Sequence, residues 1–191
     1  MNSQKTAPPA GGFAHPTHNV EALEIEHGMS VVDFGSGSGA YVLAIAAELK
    51  GKGHVYAVDV QRDLLRRTLN EAHRRGLHNA QVIWGDLEKP GSTKIADGKM
   101  DLVLVSNLLF QVKERTAVLE EAQRILKPSG RLVIIDWSDS FGGMGPPRSD
   151  IVTQERAVEL ARGLGFEPLY AFEAGAHHWG VVFGWASKTM T

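Results

Sequence analysis

Val31-Val32-Asp33-Phe34-Gly35-Ser36-Gly37-Ser38-Gly39 joins a β-branched apolar run to three closely spaced glycines. Glycines in such a loop admit positive φ and let a main chain approach a ligand without Cβ clashes. Asp59 and Asp86 each close a later apolar run, in Val58-Asp59 and Trp84-Gly85-Asp86-Leu87. A buried carboxylate is costly without partners. Asp33 therefore either accepts from loop amides or meets, directly or through water, a ligand ammonium group. The spelling alone leaves several chemistries open. Gly35-Ser36-Gly37-Ser38-Gly39-Ala40 satisfies the dinucleotide fingerprint with Ala in the last place, and Asp59 stands at the distance of a ribose-binding acid. A tight turn with no ligand fits the same letters. The extra acid at Asp33 tips the balance, because it would repel a pyrophosphate. It favours a ligand with an amino group and a sulfonium.

These residues need a scaffold that brings strand ends together. Strands are expected over Ser30–Phe34, His54–Asp59, Gln81–Gly85, Met100–Ser106 and Arg131–Trp137. Helices are expected over Ser38–Leu49, Arg62–Arg75, Lys113–Leu126 and Thr153–Leu164, from apolar spacing and glycine or proline stops. A short helix capped by Thr17 or Asn19 should run to about Glu26. Strand–helix alternation with continuously apolar strands means a parallel sheet covered on both faces. Two closing runs, Glu167–Phe172 and Trp179–Ala186, are too close for a crossover helix, so the last strand is antiparallel. The fold expected is α/β: a Rossmann-like, doubly wound sheet of seven strands, mostly parallel, with helices on both faces. In such sheets ligands bind outside the carboxyl ends of the strands, where the glycine loop and the three acids lie. Residues 1–12, with Pro8-Pro9 and Gly11-Gly12, read as a flexible tail, and 13–191 as one domain.

Composition narrows the classes. The chain has 191 residues, a net charge of −2 and no cysteine. Near-neutral charge argues against blanket binding of nucleic acid. Helix Arg62–Arg75 is locally basic, but base-stacking aromatics are not interleaved with it. The lack of cysteine excludes disulfides, thiolate zinc sites and cysteine nucleophiles within this chain. No apolar run reaches the length of a membrane span. Met1–Ala10 has no apolar core of a secretory signal. The expectation is a cytoplasmic protein.

The ordered set Asp33-Phe34-Gly35-Ser36-Gly37-Ser38-Gly39, Val58-Asp59, Gly85-Asp86 and Leu126-Lys127-Pro128-Ser129-Gly130-Arg131-Leu132 resembles the successive motifs of class I S-adenosylmethionine-dependent methyltransferases. The resemblance runs from about Gly28 to Ser187. Within the class, the chain is similar to the small stand-alone enzymes related to the ubiquinone/menaquinone C-methyltransferases, including the closing Gly165-Phe166 and His178-Trp179-Gly180-Val181-Val182-Phe183. The resemblance implies S-adenosylmethionine as cofactor and methyl transfer as activity. It implies that the loop Asp33, Gly35, Ser36, Gly37 and Gly39 lines the methionine moiety, with Asp33, Gly35 and Gly37 foremost. Asp59 would hold the ribose hydroxyls and Val60 would pack on adenine. Gly85, Asp86 and Leu87 would flank the adenine amino group, and Ser106 and Asn107 would lie under the sulfonium. It also puts the seventh strand between the fifth and the sixth. The alternatives are an NAD(P)-binding oxidoreductase and a methyltransferase-like binding protein without catalysis.

The acceptor side is less legible. Methyl transfer is an in-line displacement to which a protein chiefly contributes alignment. A base is needed only if the acceptor loses a proton. The candidates for that role are His177, His178, His15 and His18. Trp137, Phe141, His177 and His178 are candidates for acceptor contact, and Tyr41 either reaches the cofactor or packs. No metal site is expected. Ser106-Asn107-Leu108-Leu109-Phe110 lacks the Pro-Pro-aromatic signature that enzymes of this fold use on amino groups of nucleobases or glutamine. Arsenite chemistry, found among relatives, uses cysteine thiolates. A small molecule is the expected acceptor, with nucleic acid and protein acceptors left open.

Overall fold

The computed structural model describes residues 14–141, 143 and 145–187. The expected 1–12 tail lies outside the described residues. Seven strands form one sheet: β1 (Ser30–Phe34), β2 (His54–Asp59), β3 (Ala80–Trp84), β4 (Met100–Ser106), β5 (Leu126–Trp137), β6 (Phe166–Gly175) and β7 (His178–Trp185). Their order is β3-β2-β1-β4-β5-β7-β6. β7 runs antiparallel to both neighbours, and the pairs among β1 to β5 are parallel. The closing hairpin and the insertion of β7 between β5 and β6 are therefore as expected.

Both sheet faces are buried, which explains why the central strands read as unbroken apolar runs. Leu102 and Leu104 of β4 and Val133 and Ile135 of β5 face helices α1 (Pro16–Ala22), α2 (Ala40–Glu48) and α3 (Arg62–Arg74). Val103, Val105, Leu132 and Ile134 face α4 (Arg115–Ile125) and α5 (Gln154–Gly163). Phe34, at the end of β1, is fully buried on this second face. Truncating such a ring to Ala typically costs about 3–5 kcal/mol.

Three local expectations are corrected. α1 starts one residue before Thr17, at Pro16 behind His15, and stops at Ala22 rather than near Glu26. Proline is at home at the first helical position because its missing N–H has no intrahelical partner there. Asn19 is inside the helix, and its side chain is spent on tertiary hydrogen bonds. β5 begins at Leu126, five residues before Arg131, with a register break between Met100 and Leu102 of the partner strand. Leu126 ends α4 with extended backbone at ψ 137°, so the chain enters the sheet before Pro128.

The β3–β4 connection carries no helix. It is fastened instead by Glu121 of α4, which is 3% exposed. Its carboxylate accepts from the Gly91 amide at 3.0 Å, from the Thr93 hydroxyl and from the Arg124 guanidinium.

Candidate active site

The site is built where β1, β2 and β3 end. The Gly35 and Ser36 amides donate to Val58 O at 2.9 and 3.1 Å, folding the loop over the neighbouring strand. Asp59 completes the clamp. Its Oδ2 accepts from the Gly37 amide at 2.9 Å and its Oδ1 from the Gln61 amide at 2.8 Å. A carboxylate offers about four lone-pair directions. Two are used to set loop geometry, and two remain for a diol. Gly35, Gly37 and Gly39 all have positive φ, at 69°, 50° and 79°. Their packing differs. A Cβ on Gly35 would meet Leu108 Cδ1 at 2.8 Å, and one on Gly39 would meet Thr68 Cγ2 at 2.3 Å, while Gly37 is open but for Gly35 O at 3.9 Å. Gly39 thus lets the loop close onto α3, and only Gly37 keeps an open approach. Gly85 is also a packing glycine, since a Cβ there would meet Ser92 O at 2.8 Å.

A cavity of about 250 Å³ opens between these strand ends, lined by Gly35, Gly37, Asp59, Val60, Asp86, Leu87, Leu108 and Gln111 among others. Val60 is 55% exposed, an apolar surface offered to a ring. Asp86 lies on the cavity wall, and its hydrogen bond to Lys89 holds its carboxyl below the usual range. A larger cavity, about 760 Å³, lies beside Tyr56, Trp84, Ile95 and Lys99. It carries none of the three rim acids, so size is a poor guide to chemistry here.

Asp33 is 2% exposed and its Oδ1 has no hydrogen-bond partner. Burial, with the neighbouring Asp59 charge, pushes its carboxyl up to about 8. A cationic group placed here would restore the carboxylate by pairing with it. Tyr41 of α2 lies close by; burial pushes its phenol up to about 12. The Asn19 amide donates to Tyr41 Oη at 2.8 Å and to Ala174 O at 2.9 Å, tying α1 to α2 and to the end of β6. Sequence reasoning missed Asn19, Leu108 and Gln111 as site-builders. No local pattern signals them, because their roles are set by tertiary contact.

The β4–β5 end of the rim is different in kind. Asn107 follows Ser106 with φ 52°, a left-handed conformation rare outside glycine. Its amide donates to Ile135 O at 2.8 Å, while Asn107 Oδ1 and Ser106 Oγ are buried without partners, as is Ser36 Oγ in the glycine loop. Asp136, fully buried at the end of β5, accepts from the Leu109 and Trp137 amides at 3.1 and 2.9 Å. Burial still pushes its carboxyl up to about 6. The four acceptor candidates Trp137, Phe141, His177 and His178 converge. Trp137 pairs with His178 across β5 and β7, their rings 4.2 Å apart. Phe141 stacks on His177 at 4.7 Å. His177 Nδ1 lies 2.6 Å from Asp139 Oδ1, a pairing that sequence separation hid. His178 is buried with neither ring nitrogen partnered, and burial holds it down at about 4. His15 and His18 are exposed and stack on each other at 5.3 Å. Among the described residues, no group of three or more His, Asp or Glu could hold a metal ion.

A seven-stranded sheet with β7 between β5 and β6, a glycine loop after β1 and acids closing β1 and β2 define the class I S-adenosylmethionine-dependent methyltransferase domain. The family model for the methyltransferase domain matches residues 25–163, and the chain belongs to that family. It is 26% identical to an S-adenosylmethionine-dependent methyltransferase of known structure from Aquifex aeolicus, with a TM-score of 0.79 and 88% of each chain covered. Over 120 residues it is 29% identical to a demethylmenaquinone methyltransferase from Listeria welshimeri, covering 62% of this chain and 49% of that protein. Over 116 residues it is 35% identical to an arsenite methyltransferase from Aquipseudomonas alcaligenes, covering 57% of this chain and 33% of that protein. The chain thus spans about half the length, or less, of these two curated relatives.

Proposed function

We propose that the protein transfers the methyl group of S-adenosylmethionine to a small-molecule acceptor. The observation that carries this reading is Asp33, buried beside the glycine loop with an oxygen unpartnered. An ammonium group would draw the proton off this desolvated acid and pair with the carboxylate, whereas a pyrophosphate would leave it protonated and gain no ion pair there. This argues against the nicotinamide alternative.

When bound, the cofactor supplies an electrophilic methyl group on a sulfonium. The chain's own residues supply position. Asp33 and the loop would hold the amino-acid end, and Asp59 would take the ribose hydroxyls with the lone pairs its two amide bonds leave. Val60 would pack on the base, with Asp86 and Leu87 beside it and Gly85 keeping the turn tight. Ser106 and Asn107 would edge the space beside sulfur. Ordering the reactants in this way is worth up to about 7–11 kcal/mol of barrier. Names of relatives point to small acceptors, a demethylmenaquinone in one and arsenite in another. Arsenic is held by soft thiolates, and this chain has no cysteine, so the quinone-type comparison is the better guide. The same lack of cysteine agrees with a cytoplasmic location, and no helix among the described residues is long and apolar enough to cross a membrane.

Calorimetric titration with S-adenosylhomocysteine and with NAD⁺ tests the reading. Binding of the first alone, weakened by Asp33→Asn, supports it; binding of NAD⁺ alone overturns it. Turnover of methyl-labelled cofactor across an acceptor panel separates an enzyme from a binding protein of the same fold.

A further inference from the structure

We infer that His177 is the base of this methyltransferase and that its acceptor is a hydroxyl or carbon acid, an atom that must lose a proton to accept a methyl group. The inference rests on the methyltransferase reading above and deepens it.

Position comes first. The His177 turn joins β6 to β7 on the rim that holds Asp33 and Asn107, because β6 runs parallel to the central strands. The cavity runs from the ends of β2 and β3 to Leu108 and Gln111 after β4. His177 lies beyond it, next to the end of β5 at the start of β7, three strand spacings or about 14 Å from β1. That is the side left for an acceptor.

Orientation comes next. Asp139 Oδ1 sits 2.6 Å from His177 Nδ1, and the Ser138 amide donates to His177 O at 2.9 Å. The loop leaving β5 is thus fastened to the turn by both main chain and side chain. A carboxylate at Nδ1 selects the tautomer with its proton on Nδ1 and its lone pair on Nε2. Asp139 is a positioning residue; His177 is the group that would touch the acceptor.

The surroundings keep that imidazole the one that works. His178, its neighbour, is buried and neutral across the working range, being held down at about 4. Asp139 pairs with His177, and the Asp136 carboxylate at the end of β5 is occupied by amides of β5 and the β4–α4 loop. Phe141, 57% exposed, stacks on the His177 ring and offers its outer face as a wall for a flat acceptor.

The step balances without a co-reactant. His177 Nε2 takes the proton from the acceptor's X–H bond, and that bond's electron pair forms the new bond to the methyl carbon. The sulfur–methyl bond breaks with its pair on sulfur, which becomes a neutral thioether. The imidazolium then returns its proton to water.

The test compares wild type, His177→Gln and Asp139→Asn. Three readouts are used: S-adenosylhomocysteine affinity, kcat and KM against pH on a panel of phenols and carbon acids, and the same constants on N,N-dimethylaniline, a tertiary amine with no proton to lose. Expected are unchanged S-adenosylhomocysteine affinity and a fall of about 10²–10³ in kcat for the acids in His177→Gln, with KM little moved. The rising pH limb disappears with it, and amine methylation, where present, is untouched. Ring ¹⁵N shifts should show the Nδ1–H tautomer in wild type and a mixture in Asp139→Asn. Retention of acid methylation and its pH limb in His177→Gln overturns the inference. So does a wild-type chain that binds S-adenosylhomocysteine yet methylates no acid of the panel. Failure to bind S-adenosylhomocysteine overturns the methyltransferase reading instead.

Discussion

The two ends of the binding rim are built on opposite terms. At the β1–β2 end, both Asp59 oxygens are committed to backbone amides and the glycine loop is strapped to Val58. At the β4–β5 end, Ser106 Oγ, Asn107 Oδ1 and both His178 nitrogens are buried without partners, and Asn107 is left-handed. An unsatisfied buried polar group costs about 1–3 kcal/mol. The first end is strapped by its main chain, with Ser36 Oγ and Thr68 Oγ1 left unpartnered; the second adds a left-handed Asn107 and two orphaned ring nitrogens, a cost that a ligand or a moving group can relieve. Backbone strain and orphaned polar atoms gather where chemistry is done. On the proposed function, holding and reacting are separated along one edge of the sheet.

The strapped end should break hardest. Gly39→Val places a Cβ 2.3 Å from Thr68 Cγ2 at a φ of 79°. Overpacking and left-handed strain together should cost about 3–5 kcal/mol. At about 2–4 °C per kcal/mol for a chain of this size, the calorimetric Tm should drop by about 6–20 °C. Adding Thr68→Ala should recover part of the loss, because it removes the clash and leaves the strain. An unchanged Tm in Gly39→Val would show that the loop is not anchored on α3.

Asp33 stands between the two ends and should give the next largest effect, with opposite signs in two assays. Its folded carboxyl is raised to about 8 from an ordinary 3.8. A raised acid favours the protonated fold, so its stabilisation is whole below pH 3.8 and is lost as pH climbs to about 8. Asp33→Asn removes that loss. Thermal stability at pH 9 should rise by about 1–3 kcal/mol, the scale of one desolvated polar group. Affinity for S-adenosylmethionine should fall about 10- to 100-fold, one charge-assisted hydrogen bond. Gain in the melt without loss in titration would move the ammonium group away from Asp33.

The strapped end was also the legible one. Glycines, strand-closing acids and apolar runs are local patterns, and periodicity placed β1, β2 and β4 to the residue. The antiparallel closing hairpin followed from one short loop, whereas the place of β7 beside β5 was implied by the family resemblance. What escaped was set by tertiary contact. Nothing near Asn19 says that its amide will bridge Tyr41 and Ala174. Nothing near Asp139 points to a histidine 38 positions later. Glycine letters could not tell a ligand-facing Gly37 from a packing Gly39 or Gly85, because the difference lies in Leu108, Thr68 and Ser92. The early start of β5 escaped because Pro128 and Gly130 suggest a stop, whereas the partner strand absorbs them in a register break.

The β4–β5 end should respond to pH. His178 is held down at about 4 from an ordinary 6.5 by burial. A lowered base favours the neutral fold, so its stabilisation is whole above pH 6.5 and is lost as pH falls to about 4. His178→Phe keeps a ring against Trp137 and cannot titrate. Its Tm should hold between pH 6.5 and 4.5 while wild type loses several degrees. Parallel acid curves for the two proteins would mean that His178 is hydrated and that this end is less dry than its burial implies.

The smallest effect, and the finest probe of the contrast, is Asn107→Gly. Glycine adopts φ near 52° without a Cβ penalty and also removes the orphaned Oδ1. Two costs leave the folded state, while glycine's greater freedom in the unfolded chain takes some of the gain back. The net should be about 0.5–1 kcal/mol of added stability, or a Tm rise of about 1–4 °C. If the side chain serves the reaction, that rise comes with lower kcat. A rise in Tm with full activity would reduce Asn107 to a turn residue. A fall in Tm would show that Oδ1 has a partner in solution, and the difference between the two ends would shrink by one atom.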